Sequence, residues 1–326
     1  MTGSADLPDA FARLVDDAAI FPPGNAPLPE AVVAHRRHEA AAYADLVGPF
    51  VVADNRLADL LALVEAEGAD PGQPPLPLSV VVTGGAGAIA PAVRWATRSD
   101  ALALRFLEIR LREDDAGALA HNAQRIVAGV DAVRADAEGG LPEEAPVYVE
   151  MPRSRSGDPS ASWLEALDVL AVAGLRAKFR TGGVDADAFP DAAELAACIA
   201  AALDREVPFK CTAGLHNALR HRDEATGFEH HGFLNVLLAT RASLDGASRE
   251  EAAAVLDDPD PLPETEPADL GGWASARRWF TSFGSCSVAE PLTDLIALGL
   301  LPETLVEPVG TGVSTGSTSV TVEENP

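Results

Sequence analysis

Two lysines, Lys178 and Lys210, stand among 326 residues that carry 22 arginines. Wherever a plain positive charge sufficed, this chain has used Arg. The two lysines lie in similar settings, Leu-Arg-Ala-Lys-Phe-Arg-Thr-Gly-Gly (175–183) and Val-Pro-Phe-Lys-Cys-Thr-Ala-Gly-Leu-His (207–216). Each reads as a β-strand entering a Gly-containing turn. A lysine amine can lose its proton and become a nucleophile, whereas a guanidinium stays charged. Two ammonium groups on adjacent strands repel each other, and partial burial adds to that. Both effects lower a lysine pKa and predict one neutral amine near neutral pH. Such an amine attacks a carbonyl to form a Schiff base, and the iminium is an electron sink for an adjacent C–C bond.

The elements that hold these residues follow from periodicity. Short β-rich runs alternate with longer Ala/Leu-rich amphipathic stretches, the pattern of βα units around a parallel sheet. Strands are expected near 17–21, 49–54, 78–83, 104–111, 146–151, 175–181, 207–213 and 278–284. Helices are expected over 28–44, 55–67, 115–137, 160–173, 187–204, 231–244 and 288–299. Eight strands with intervening helices is the count of a (β/α)8 TIM barrel over residues 1–306. An open doubly wound sheet would need a Gly-rich fingerprint after its first strand, where Phe-Pro-Pro-Gly-Asn stands instead. Gly84-Gly85-Ala86-Gly87 is Gly-rich but lacks that spacing. The acidic, Pro-rich stretch 257–272 reads as an insertion before the last strand. Residues 307–326, rich in Gly, Ser and Thr, read as a flexible tail.

Alternation along each strand sorts the faces. Leu175, Ala177 and Phe179 should meet the helices, leaving Arg176, Lys178 and Arg180 toward the barrel axis. Lys210, Thr212 and Gly214 follow the same parity, as do Phe106, Glu108 and Arg110, and Tyr148 and Glu150. Glu108, Arg110, Glu150, Lys178, Arg180 and Lys210 therefore share one interior. Buried charges cost several kcal/mol each unless paired, so the expectation is a polar cavity at the C-terminal mouth, where sites of this fold lie. Glu108 and Glu150 would move protons, and Arg110 and Arg180 would orient an anionic substrate. The rival reading is a buried ion-pair network that only holds the barrel closed.

Lys-Phe-Arg-Thr-Gly-Gly and Phe-Lys-Cys-Thr-Ala-Gly resemble the paired lysine motifs of class I, Schiff-base aldolases, especially the deoxyribose-phosphate aldolase type. That resemblance implies imine formation at Lys178, a pKa-lowering role for Lys210 and an assisting acid at Glu108. It further implies phosphate-binding loops at Gly214 and at Gly284-Ser285-Cys286-Ser287. The match departs at Phe179-Arg180, where the family has small polar residues, and in having Glu rather than Asp.

Thr181, Gly182 and Gly183 form a turn suited to an anion, and Gly284, Ser285 and Ser287 precede the last helix in similar fashion. Such loops also serve simply as helix caps. Four of seven histidines, His216, His221, His230 and His231, crowd the segment after the seventh strand. His216 is taken as a substrate contact. A metal site of these histidines with Glu150 is the second reading, for a metal-dependent isomerase or lyase, although their spacing matches no established ligand motif. A third reading is a non-catalytic barrel that binds an anionic metabolite.

A net charge of −26 argues against nucleic acid or an anionic membrane as partner. Cys198, Cys211 and Cys286 fit neither a disulfide framework nor a zinc motif. No leader segment is read at the start, and no run is long enough to span a bilayer. The expectation is a cytoplasmic lyase acting on a small carbonyl or anionic substrate without metal or other cofactor. Homo-oligomerisation is compatible with the sequence.

Overall fold

The computed structural model describes residues 7–66, 73–113, 119–136, 140–155, 157–224, 226–262 and 269–305. Eight parallel strands close into a barrel: β1 (Val15–Asp17), β2 (Val47–Ala53), β3 (Leu76–Val82), β4 (Leu102–Arg110), β5 (Val147–Glu150), β6 (Arg176–Arg180), β7 (Phe209–Thr212) and β10 (Phe280–Ser285). Around the barrel they run β1-β10-β7-β6-β5-β4-β3-β2. Two-residue strands β8 (His221–Arg222) and β9 (Glu229–His230) pair antiparallel within the long loop after β7. The (β/α)8 expectation holds.

Helices α1 (Leu28–Ala40), α2 (Leu57–Ala66), α3 (Ile89–Ala96), α4 (Leu119–Arg134), α5 (Ala161–Val172) and α6 (Ala192–Leu203) follow β1 to β6 in turn. After β7 come α7 (Phe233–Leu244), α8 (Arg249–Asp257) and α9 (Leu270–Ala276), and α10 (Ala289–Ala297) follows β10. Among the described residues no helix is long and apolar enough to cross a membrane. One expectation needs correction. The first strand lies at Val15–Asp17 rather than 17–21, because the chain turns at once, with the Phe21 N–H donating to the Ala18 carbonyl. In the stretch 257–272, α8 ends at Asp257 and α9 begins at Leu270, and residues 258–262 lie outside helix and strand. Residues 263–268 of that stretch, and the tail from 307, lie outside the described residues.

Packing outside the barrel decides what points inside it. Phe179 stacks on Trp163 of α5 with ring centres 6.2 Å apart and meets Phe209 at 5.2 Å. Ala177 and Cys211 are fully buried on that same outer face. Burying one Phe side chain contributes roughly 1.5–3 kcal/mol. A one-residue slip would throw that face inward, so these apolar contacts hold Lys178 and Lys210 on the axis side. Their register is direct: Glu150 pairs with Lys178 across β5–β6, and Lys178 with Lys210 across β6–β7.

Candidate active site

One carboxylate joins the two lysines. Lys178 Nζ lies 2.7 Å from Glu108 Oε2 and 2.9 Å from Glu150 Oε2. Lys210 Nζ lies 2.7 Å from Glu108 Oε1 and 2.5 Å from Asp16 Oδ2. Ser79 Oγ donates to Glu108 Oε1 at 2.5 Å, and Ser282 Oγ to Asp16 Oδ2 at 2.7 Å. The lysines are only 4% and 1% exposed. Below them the interior turns aromatic: Lys210 Nζ sits 5.7 Å from the centre of the Phe106 ring and 5.3 Å from that of Tyr148. The Tyr148 hydroxyl is bonded to Thr281 and to the Arg176 guanidinium.

This pairing reverses the expected titration. Burial is the largest influence on each ammonium and favours the neutral form, and the two ammonium groups also repel. The carboxylates nevertheless win, and both lysine pKa values are raised. The two ammonium groups repel as expected, but three carboxylates face them. Glu108 is held well below its usual range, because Lys178 and Lys210 outweigh the effect of burial. Glu150 is held at about 2 by Lys178 and Arg180 against its own burial. Asp16 goes the other way, since burial raises it more than Lys210 lowers it.

Above this layer opens a cavity of about 410 Å³, bordered by Thr83, Arg110, Glu150, Met151, Arg153 and Arg180, among others. That volume falls in the range of small-molecule sites. Its floor reaches Glu150; Lys178 Nζ lies just behind, on the other oxygen of that carboxylate from Arg180 Nε. Arg153 is committed to Glu194 of α6, and Arg155, also on the wall, to Asp187. Arg110, at the end of β4, is exposed. The two arginines expected to face an anion therefore do border one space.

Other expected contacts do not meet that space. Thr181 is fully buried, and its hydroxyl donates to the Ala213 carbonyl at 2.5 Å. Gly182 and Gly214 touch backbone to backbone: a Cβ on Gly182 would lie 2.8 Å from Gly214 Cα. These residues lock the ends of the two lysine strands together, while Gly183 beside them is exposed. Thr212 lies half-buried in register with Gly284 of β10. The Ser285 hydroxyl donates to the Ser287 carbonyl, and Ser287 Oγ accepts from the Glu290 N–H in the first turn of α10. His216 Nδ1 faces Glu290 Oε2 at 3.2 Å and Cys286 Sγ at 3.6 Å. Burial lowers the His216 pKa and raises that of Cys286, so neither is poised as an ion.

The histidine segment is an ordered hairpin. His221 and His230 lie tilted against each other with ring centres 5.2 Å apart, and His231 Nε2 meets the Pro190 carbonyl at 2.9 Å. Among the described residues no three His, Cys, Asp or Glu side chains converge on a metal-sized site. The histidines and Glu150 are thus not brought together.

Asp16 is the member of this cluster that sequence reasoning missed. Starting the first strand at 17 left it outside. The available signal was the pair Asp16-Asp17 behind buried Leu14 and Val15. On a strand, neighbours point to opposite faces, so one Asp had to face the axis. Asp17 faces outward, where its Oδ2 meets His35 Nδ1 of α1 at 2.9 Å. Comparison of the chain with family models and with curated proteins gives no match.

Proposed function

We propose that the barrel forms a Schiff base between Lys178 and a carbonyl substrate in the 410 Å³ cavity, in a lyase reaction of the aldolase type. The observation that carries this reading is the coupled pair itself. Two lysines at the same register share Glu108, and Lys178 alone is also bonded to the carboxylate on the cavity floor.

The roles divide accordingly. Lys210, held by Asp16 and Glu108, stays charged and supplies a fixed positive field. Lys178 passes one proton to Glu150, and its freed lone pair attacks the carbonyl carbon. The carbonyl oxygen takes that proton, and a second proton from the nitrogen lets it leave as water, giving the iminium. Glu150, a carboxylate again, takes the proton of the hydroxyl on the departing carbon. That carbon leaves as an aldehyde, and the electron pair of the broken C–C bond enters the iminium to give an enamine. Return of that proton to the enamine carbon and hydrolysis by water release the second carbonyl product and the amine. Access requires the Glu150–Arg180 pair to swing from above Nζ, and an anionic group on the substrate would draw Arg180 away.

Borohydride reduction with a panel of small aldehydes and ketones is the test. A mass gain on Lys178, abolished by Lys178→Arg and reduced by Lys210→Arg, supports the reading. No adduct with any carbonyl refutes it, leaving the five groups as the ion network that their burial favours.

A further inference from the structure

A second, smaller cavity lies beside the first. It holds about 60 Å³ and is bordered by the loop Gly84–Gly87 after β3, by Arg110 and Arg112 at the end of β4, and by Asn122 and Arg125 of α4. Asn122 and Arg125 are three apart on the helix and so share a face. The Asn122 amide donates to the Arg112 carbonyl at 3.0 Å, tying the segment after β4 to α4. The Arg112 side chain lies over Gly85, where a Cβ would come 3.4 Å from Nε and where φ is +70°, a conformation that favours glycine.

Three arginines thus border a space no larger than a few waters. Among the described residues none of the three has a carboxylate partner, in a chain of net charge −26 that pairs Arg153, Arg155, Arg180 and Arg205 with acids. Like charges gathered around one space repel, and no carboxylate among the described residues pairs with them. Guanidinium forks match the oxygens of phosphate in bidentate fashion.

We propose that this cavity is a phosphate subsite, with Arg112 and Arg125 as its principal ligands and Arg110 shared with the larger cavity. A phosphomonoester seated there would extend past Arg110 toward Glu150. The proposal goes beyond the imine reading and is independent of it, since it concerns binding alone. It also moves the anion from the loops after β7 and β10 to the loops after β3 and β4.

The test is calorimetric titration of the full chain with inorganic phosphate and, separately, with glycerol 3-phosphate. Saturable binding is expected, weakened about 10-fold or more by either Arg112→Gln or Arg125→Gln, a change of at least about 1.4 kcal/mol. Arg37→Gln, at an exposed position on α1, should leave it unchanged. Tighter binding of glycerol 3-phosphate marks the phosphate as part of a larger ligand, and equal binding marks free phosphate; either upholds the subsite. Absence of saturable binding, equal binding by wild type and both cavity variants, or an equal loss in Arg37→Gln would overturn it. Borohydride trapping plays no part in this readout, so the two proposals fail separately.

Discussion

Glu150→Gln isolates the competition that sets the state of Lys178. Its ammonium is raised above the usual 10.5, with Glu108 and Glu150 outweighing burial and Lys210. At pH 7 even an unshifted lysine is neutral in only about one molecule in 3,000. Two unit charges some 4 Å apart at an effective dielectric near 20 interact by about 4 kcal/mol, equivalent to about three pKa units. Glu150 borders the cavity, so solvent screening cuts this to about one or two. The chain suits a direct assay: with two lysines, protein labelled with 13C at lysine Cε gives two signals. Wild type should show neither lysine titrating below pH 10. In Glu150→Gln the Lys178 midpoint should fall while Lys210, bonded to Asp16 and Glu108, stays in place. A wild-type midpoint near neutrality, or a substitution that moves both signals or neither, would refute the reasoning. Imine formation in the wild type should accordingly quicken as pH rises.

Acid should unfold the barrel through the same carboxylates. Glu150, depressed from 4.5 to about 2, contributes about 3 kcal/mol that is fully present above pH 4.5 and lost as pH falls toward 2. Glu108 acts in the same direction and Asp16 in the opposite one. Urea midpoints between pH 6 and 2.5 should therefore fall steeply, and fall less in Glu150→Gln; parallel curves would count against the linkage. Gly48→Ala tests the seat of Asp16, because a Cβ there would sit 2.1 Å from Asp16 Oδ1. Overpacking of this kind costs about 1–3 kcal/mol. The Lys210 signal should shift more than that of Lys178, and an unmoved Lys210 would show that Asp16 has room to spare.

Periodicity and parity carried the reading of the fold a long way. All eight strand windows overlap the observed strands, the first at Asp17 alone, and the inward parity of Glu108, Glu150, Lys178 and Lys210 is what brings them together. Parity works because apolar Phe179 and Phe209 commit the opposite face to the helices. Reasoning from composition failed where local turn geometry governs, as at Ala18. It failed most instructively on the lysine charge. A pKa is set by every neighbour: Glu108 and Glu150 outweigh burial at Lys178, and at Lys210 one of the two deciding anions, Asp16, lies 194 residues away on a three-residue strand with little periodic signal. The Gly/Ser turns misled for a related reason: hydroxyls such as those of Thr181 and Ser287 are used up within 35 residues of themselves, on carbonyl and N–H groups that no motif displays.

The choice of lysine over arginine also takes on a second meaning. An ammonium is compact and offers three donors from a single atom, whereas a guanidinium spreads its five across a plane. Parallel strands stand about 4.8 Å apart, and at that spacing one nitrogen can bridge two carboxylates on neighbouring strands. Lys178 does so between β4 and β5, whereas Lys210 reaches across the axis to carboxylates on β1 and β4, which are not neighbours. A guanidinium at either position would overfill the layer, so an ion network alone already favours lysine. Lys178→Arg therefore tests chemistry only alongside Lys210→Arg. If imine formation is the role of Lys178, both changes disturb the same layer, yet only the first removes the adduct outright. Equal loss in the two would trace the effect to packing rather than to the nucleophile.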